Sequence, residues 1–196
     1  MDKKSALVVV DVQRDFCPGG ALAVPEGDRV VPALNGYIER FASAGLPVYA
    51  TRDRHPARTV HFKEYGGTWP AHCVMDTPGA EFHPDLRLPG GAVIITKGTD
   101  PARDSYSGFD GADPEGRGLA ESLRARGVGT IYVGGLATDY CVRATVLDGL
   151  KNGFKVTLLV DAVRGVDVSE GDSERAVREM EEAGARTVTI EDLTLE

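Results

Sequence analysis

The sequence is short of cysteine, of aromatic residues, of basic charge and of long apolar runs, and each shortage removes a class of protein. Three cysteines among 196 residues, Cys17, Cys73 and Cys141, cannot build a disulfide scaffold. At least one thiol must be free or bonded between chains, and a reducing cytosol is the simplest setting. The longest apolar run, residues 6–10, falls far short of the roughly 20 residues of a membrane-spanning helix. Acidic Asp11 ends that run and no small-residue cleavage site comes after it, so a signal segment is not expected. Lysine and arginine total 22 against 30 aspartates and glutamates, a formal charge of −8. With no clustered basic stretch, neither nucleic acid nor an anionic membrane surface is expected as a partner. No repeat or low-complexity tract is present. The remaining composition, 42% hydrophobic and 27% charged residues, describes a globular chain read as one domain over residues 1–196. Such a chain buries about 70% of its unfolded surface.

Residues 6–10 form a continuous β-branched run, as expected of a strand buried on both faces, and helical spacing continues over 30–44 until Gly45. The unit recurs. Strands are expected at 46–51, 92–97, 130–134, 155–160 and 187–190, and helices at 118–126, 138–152 and 169–183. This alternation predicts an α/β fold: a doubly wound, mostly parallel six-stranded sheet with helices on both faces. Two stretches break the rhythm. Residues 52–91 have no strong period yet hold the single tryptophan, Trp69, and all four histidines, and residues 99–116 are rich in Gly, Asp and Pro. Long irregular loops in compact domains are usually functional or disordered, and the aromatic and histidine content here favours function.

In open parallel sheets, ligands bind beyond the carboxyl ends of the strands, so polar residues at those ends come first. Asp11 ends the first strand, Asp53 comes just after the second, Lys97 ends the third, and Cys141 lies in the first turn of the helix after the fourth. Taken singly, Asp11 and Asp53 read as turn residues, Lys97 as solvated and Cys141 as a small buried hydrophobe. Taken together they read differently. A cysteine at a helix N-terminus beside a lysine favours the thiolate, and a neighbouring aspartate can take the thiol proton and later deliver it to a leaving group. Gly134 and Gly135 permit a tight turn, and N–H groups around Ala137 and Cys141 could bind an oxyanion. The set describes a cysteine hydrolase acting on an amide or related acyl group.

Asp53 and His55 stand at i and i+2 and point the same way from an extended segment, with His61 and His72 beyond them at loop spacing. Carboxylate with imidazole suits Zn²⁺, Mn²⁺ or Fe²⁺ rather than Ca²⁺; polar loop residues bonded to backbone are the competing reading. Cys73, adjacent to His72, reads as a packed thiol rather than a second ligand, and Cys17 as structural.

In order along nearly the whole chain run Asp11-Val-Gln-Arg-Asp-Phe16-Cys-Pro-Gly-Gly20, Asp53-Arg-His55, Thr68-Trp-Pro-Ala-His72-Cys73, Ile95-Thr-Lys97-Gly, Tyr106-Ser-Gly-Phe109 and Gly135-Leu-Ala-Thr-Asp-Tyr-Cys141-Val-Arg143. With these the chain resembles the isochorismatase-like cysteine hydrolases, and the Asp-x-His and Trp-Pro-x-His-Cys elements narrow the resemblance to the nicotinamidases. The resemblance implies that Cys141 is the nucleophile, Asp11 the general base and acid, and Lys97 the cation holding the pair. It implies a cis peptide bond between Ala137 and Thr138, with the N–H groups of Thr138 or Ala137 and of Cys141 facing the oxyanion. Asp53, His55 and His72 match the family's metal ligands, and His61 a fourth ligand that some members have. One divalent ion per chain, Zn, Mn or Fe, is thereby implied. Phe16, Trp69 and Tyr106 match aromatic walls around a flat pyridine ring, while His83 matches no functional position.

The implied reaction is hydrolysis of nicotinamide to nicotinic acid and ammonia through a thioester, with pyrazinamide also accepted, in cytoplasmic NAD salvage. The family's variation allows a homo-oligomer. Two other readings stay open: a relative acting on a carbamoyl or other heteroaromatic amide with the same Asp, Lys and Cys, and a non-catalytic metal-binding module on the same fold. The Asp-His set argues for the first of the three.

Overall fold

In the computed structural model, which describes residues 5–193, the strands are β1 (Ser5–Val10), β2 (Val48–Asp53), β3 (Val93–Lys97), β4 (Thr130–Leu136), β5 (Lys155–Arg164) and β6 (Arg186–Val188). Helices α1 (Val30–Ser43), α2 (Leu119–Ala125), α3 (Arg143–Lys151) and α4 (Asp172–Glu182) connect them. The strand order is β3-β2-β1-β4-β5-β6, and every pairing in it is parallel. The expected doubly wound sheet is therefore present and parallel throughout.

Successive side chains of β1 go to opposite faces, and all six of its residues are buried. Leu7 and Val9 pack with Val31, Leu34 and Ile38 of α1. Ala6, Val8 and Val10 pack on the other side with Leu119 and Leu123 of α2, Val146 of α3 and Met180 of α4. One helix thus covers one face and three cover the other. Among the described residues no helix is long and apolar enough to cross a membrane.

The chain runs outward from β1 to β3 and then returns to place β4 on the other side of β1, so the strand order reverses between β1 and β4. Beyond the carboxyl ends of those two strands a crevice opens, the place where open α/β sheets bind ligands. Gly135 lets β4 approach there: its φ is +131° and a Cβ would collide with the Val10 carbonyl.

Several boundaries differ from the sequence expectation. β2 ends at Asp53, two residues later than expected, because parallel pairing with β3 carries Arg52 and Asp53 opposite Thr96 and Lys97. β5 continues through residues 161–164. The expected helix over 138–152 divides into a π-helical turn, Thr138–Val142, and then α3. The Ala137 carbonyl accepts from both Tyr140 N–H (3.1 Å) and Val142 N–H (3.0 Å), which widens that first turn.

The long irregular stretch after β2 is ordered by pairing with itself. His55 bridges to Val74 and Phe62 to Trp69, with His55 N–H bonded to the Cys73 carbonyl at 2.9 Å and Met75 N–H to the His55 carbonyl at 2.9 Å. This self-pairing brings three of the four histidines to one place.

Candidate active site

The register of β2 and β3 sets Asp53 opposite Lys97, and Asp11 stands next door at the end of β1. Lys97 Nζ donates to Asp53 Oδ1 at 2.6 Å and to Cys141 Sγ at 3.6 Å, and lies 2.9 Å from Asp11 Oδ2. Asp11 and Lys97 are 0% and 1% exposed. Burial by itself would favour a neutral amine, yet Asp11, Asp53 and Cys141 around it push the Lys97 pKa well above its ordinary value, so it stays an ammonium. Burial raises the Asp11 pKa, opposed by Lys97 and assisted by Asp53. Thr51 Oγ1 donates to Asp11 Oδ1 at 2.6 Å, while Oδ2 has no hydrogen bond of good geometry.

Cys141 is the fourth residue of the π-helical turn and is 7% exposed. Burial drives its thiol pKa well up, Lys97 opposes, and Asp11 and Asp53 add to the rise. The helix N-terminus and Lys97 favour the thiolate, while burial and the two carboxylates oppose it. Asp11, Asp53 and Cys141 each place an atom within 4.8 Å of the others, but the Lys97 ammonium already holds the cationic position among them.

One correction concerns the backbone. The cis peptide bond is Leu136–Ala137, one residue before the Ala137–Thr138 bond expected. β4 runs on to Leu136, and Ala137 is the extended residue capping the turn (φ −96°, ψ 150°). Ala137 lines the same pocket as Cys141, and Thr138 begins the turn that carries Cys141. With the N–H groups of Tyr140 and Val142 already taken by Ala137, those of Ala137, Thr138 and Cys141 are the candidates for an oxyanion.

His55, His61 and His72 are all buried, and one ring nitrogen of each lies within 4.8 Å of the other two. In every case Nδ1 faces an oxygen: the Gly98 carbonyl at 3.0 Å for His55, Asp104 Oδ1 at 2.5 Å for His61 and the Pro70 carbonyl at 2.8 Å for His72. That fixes the tautomer and leaves Nε2 as the free lone pair, the arrangement of metal-bound histidines. His55 Nε2 is buried without a hydrogen-bond partner and lies 3.9 Å from Asp53 Oδ2. Burial, with its cationic and imidazole neighbours, depresses the His55 pKa to about 3, and burial also lowers that of His72. Imidazole nitrogens and one carboxylate fit a divalent transition metal, and His61 is one of the three histidines brought together. His83 lies apart from it, with its Nδ1 accepting from Asp85 N–H at 3.2 Å.

Asp53, His61, His72 and Cys141 line a partly open pocket together with Phe16, Trp69, Tyr106, Ala137, Tyr140 and Ser105 among others. Phe16, Trp69 and Tyr106 therefore share one pocket with Cys141. Trp69 Nε1 donates to Tyr106 Oη at 3.0 Å, and Tyr140 meets Trp69 edge-on, ring centroids 4.9 Å apart.

Sequence reasoning missed several supports. Gln13 acts as a peptide surrogate at the end of β2: Oε1 accepts from Asp53 N–H at 2.8 Å, and Nε2 donates to the Asp53 and Ala80 carbonyls at 2.8 and 2.9 Å. Asp15 Oδ2 accepts from Cys73 N–H at 2.7 Å and holds Cys73 at φ +45°, the bend just after His72. Both residues sit in the Asp11–Phe16 motif, which was the available signal. Tyr140 lies inside the motif that carries Cys141, whereas Asp104 and Ser105 only adjoin a motif and carried no signal of their own.

A family model described as Isochorismatase domain matches residues 5–192. The nicotinamidase of Escherichia coli is 42% identical over 95% of each chain, and the nicotinamidase/pyrazinamidase of Mycobacterium tuberculosis is 41% identical over 93% of this chain and 97% of its own. Among solved structures, the pyrazinamidase of Pyrococcus horikoshii in complex with zinc is 51% identical, with a TM-score of 0.88 over 95% of this chain and 99% of its own.

Proposed function

We propose that this chain, which belongs to the isochorismatase domain family, is a metal-dependent cysteine amidohydrolase that converts nicotinamide into nicotinic acid and ammonia. The carrying observation is one buried ammonium, Lys97, touching two carboxylates and a thiol, across a small aromatic pocket from three inward-facing imidazoles. The zinc complex of the Pyrococcus relative and the nicotinamidase names of the bacterial relatives support the same reading.

Asp53, His55, His61 and His72 would hold a divalent ion, and the ion would offer an electron-pair acceptor that orients the pyridine nitrogen. Phe16, Trp69 and Tyr106 enclose the flat ring, which holds the carboxamide carbon against Cys141 Sγ. As sulfur attacks, the thiol proton passes to Asp11. Asp11 rather than Asp53 suits this task, because Asp53 would be a ligand of the ion, while Asp11 Oδ2, 2.9 Å from Lys97 Nζ, has no hydrogen bond of good geometry. N–H groups of Ala137, Thr138 and Cys141 take the oxyanion. The C–N bond then breaks, Asp11 returns the proton to nitrogen, and ammonia leaves a thioester on Cys141. Water gives a proton to Asp11 and attacks the thioester; nicotinic acid departs and the proton returns to sulfur. Lys97 stays charged throughout and compensates whichever of Asp11 and Cys141 carries negative charge.

The single sheet supports one domain, and three unpaired thiols support a cytoplasmic setting, with NAD salvage the use such a reaction serves. The net negative charge speaks against nucleic acid or membrane as partner. Every residue of the site comes from one chain, so a homo-oligomer is compatible with it but not required. The test is ammonia release from nicotinamide by the purified chain before chelation, after chelation and after metal is restored. Turnover that is lost and then regained supports the reading. Undiminished turnover in the chelated chain removes the metal, and release only from other amides removes the pyridine.

A further inference from the structure

Besides its aromatic residues, the pocket that contains Cys141 is lined by three aliphatic side chains, Leu22, Val24 and Val166. Val166 packs against the apolar cluster that holds Phe16, Val24 and Ala137, so it continues one side of the pocket. It comes from the loop leaving β5, which ends beside β4 with Arg164 opposite Leu136. The loop over residues 165–167 therefore starts next to the turn that carries Cys141, and a side chain of that turn holds it there.

Asp139 is the second residue of the turn Thr138–Val142. Its Oδ1 accepts from Val166 N–H and its Oδ2 from Asp167 N–H, both at 2.9 Å. One carboxylate thus takes two successive backbone donors, a charge-assisted pair that sets both the distance and the direction of the loop. The fit leaves little play, since a Cβ on Gly165 would lie 3.1 Å from Asp139 Oδ1 and 1.7 Å from Ser173 Oγ. The far side is tied as well: the Asp167 carboxylate accepts from Ser173 N–H at 2.7 Å and from Ser173 Oγ at 2.8 Å, in the first turn of α4. Neither the proton shuttle nor the ligand set employs Asp139.

Resting on the function proposed above, we propose that Asp139 is a positioning residue for substrate binding, which fastens Val166 to the nucleophile's own turn. The apolar wall and Cys141 then keep one spacing, and the bound ring is held against that wall. The turn itself is shaped by the Ala137 carbonyl and its two N–H donors, so loss of the Asp139 carboxylate releases the wall and leaves the nucleophile in place. A wall of this kind contacts substrate and transition state alike, so its loss raises KM and spares kcat.

The experiment measures kcat and KM for nicotinamide in the metal-loaded enzyme, in Val166→Ala, in Asp139→Ala and in the double variant. Val166→Ala raises KM by about fourfold for each methyl group that the ring covers, with kcat near that of the unsubstituted enzyme. Asp139→Ala raises KM too, and the double variant raises it no further than the larger single change, because both remove the same contact. Asp139→Asn keeps one acceptor and raises KM less; it likewise adds nothing to Val166→Ala, so the test survives poor folding of Asp139→Ala. An unchanged KM in the Asp139 variants, effects that multiply in the double variant, or a loss confined to kcat overturns the role of Asp139; nicotinamide turnover by the unsubstituted enzyme then spares the function. An unsubstituted enzyme that does not turn over nicotinamide overturns both.

Discussion

Lys97 is the residue on which the charge balance of the site depends. Three groups that are or become anionic meet at one buried ammonium, and removing one member of such a set leaves the others uncompensated at a cost of about 3–5 kcal/mol. Lys97→Met is therefore expected to lose turnover and to lower the urea midpoint by a corresponding amount; a midpoint equal to the parent's would show that Asp11 and Asp53 are not both charged there. Asp104 offers a cleaner separation of roles, since it is exposed and reaches only His61. Outer partners of this kind typically govern metal affinity by about 10–100-fold. Asp104→Ala should weaken Zn²⁺ binding by that factor in competition with a chelator, whereas His72→Ala, which removes a donor, should weaken it further. Equal affinities for parent and Asp104→Ala would remove the carboxylate from the site's design.

At the scale of elements, the loop leaving β3 is as important as the strands. Gly98 turns the chain at φ +71°, lends its carbonyl to His55, and would bring a Cβ to 2.6 Å from His55 Cε1. Gly98→Ala should displace that ring and lower metal affinity while the far-ultraviolet dichroism of the sheet persists; metal binding at parental strength would mean the loop yields without disturbing His55.

The same elements show how far the sequence could be read. Apolar runs marked the six strands, a pattern that needs no knowledge of partners, and helical spacing marked α1 to α4, while the short 3-10 turns went unmarked. Ends were harder, since polar residues continued strands once they found distant partners. Asp161 interrupts the apolar run of β5, yet it accepts from Tyr37 Oη at 2.7 Å and from Ile190 N–H at 3.0 Å. The π-helical turn before α3 was invisible to a helical period, because it arises from one carbonyl accepting two N–H groups. Asp11, Lys97, Cys141 and the histidines could be proposed from strand ends and spacing. The full ligand set and the aromatic walls came from motif resemblance. Gln13, Asp15 and Asp104 bond groups 40, 58 and 43 positions away, so even the motif that holds the first two does not announce what they support.

For the molecule as a whole, the histidine cluster ties stability to pH and to metal. His55 titrates at about 3 in the folded chain against an ordinary 6.5, and the His72 pKa is also lowered. The unfolded chain therefore binds more protons than the folded one between those values, and stability must rise with pH through that window. Its share is complete above about 6.5 and is lost progressively as the pH falls toward 3. The urea midpoint of the chelated chain should drop between pH 7 and pH 5, above the range where carboxylates dominate, and His55→Asn should flatten that slope. An equally steep slope in His55→Asn would assign it to other groups. Metal bound to the neutral rings adds stability by mass action, so the loaded protein should melt at a higher temperature than the chelated one.

The central claim is that sulfur is the atom that attacks the amide. Its most direct test is ammonia release from nicotinamide by metal-loaded Cys141→Ala, with nicotinamide binding measured on the same preparation. Binding should be retained and turnover lowered by about a thousandfold or more, the scale on which an essential nucleophile acts. Turnover near the parental rate with binding intact would contradict the claim, and would transfer the attack from Cys141 to water.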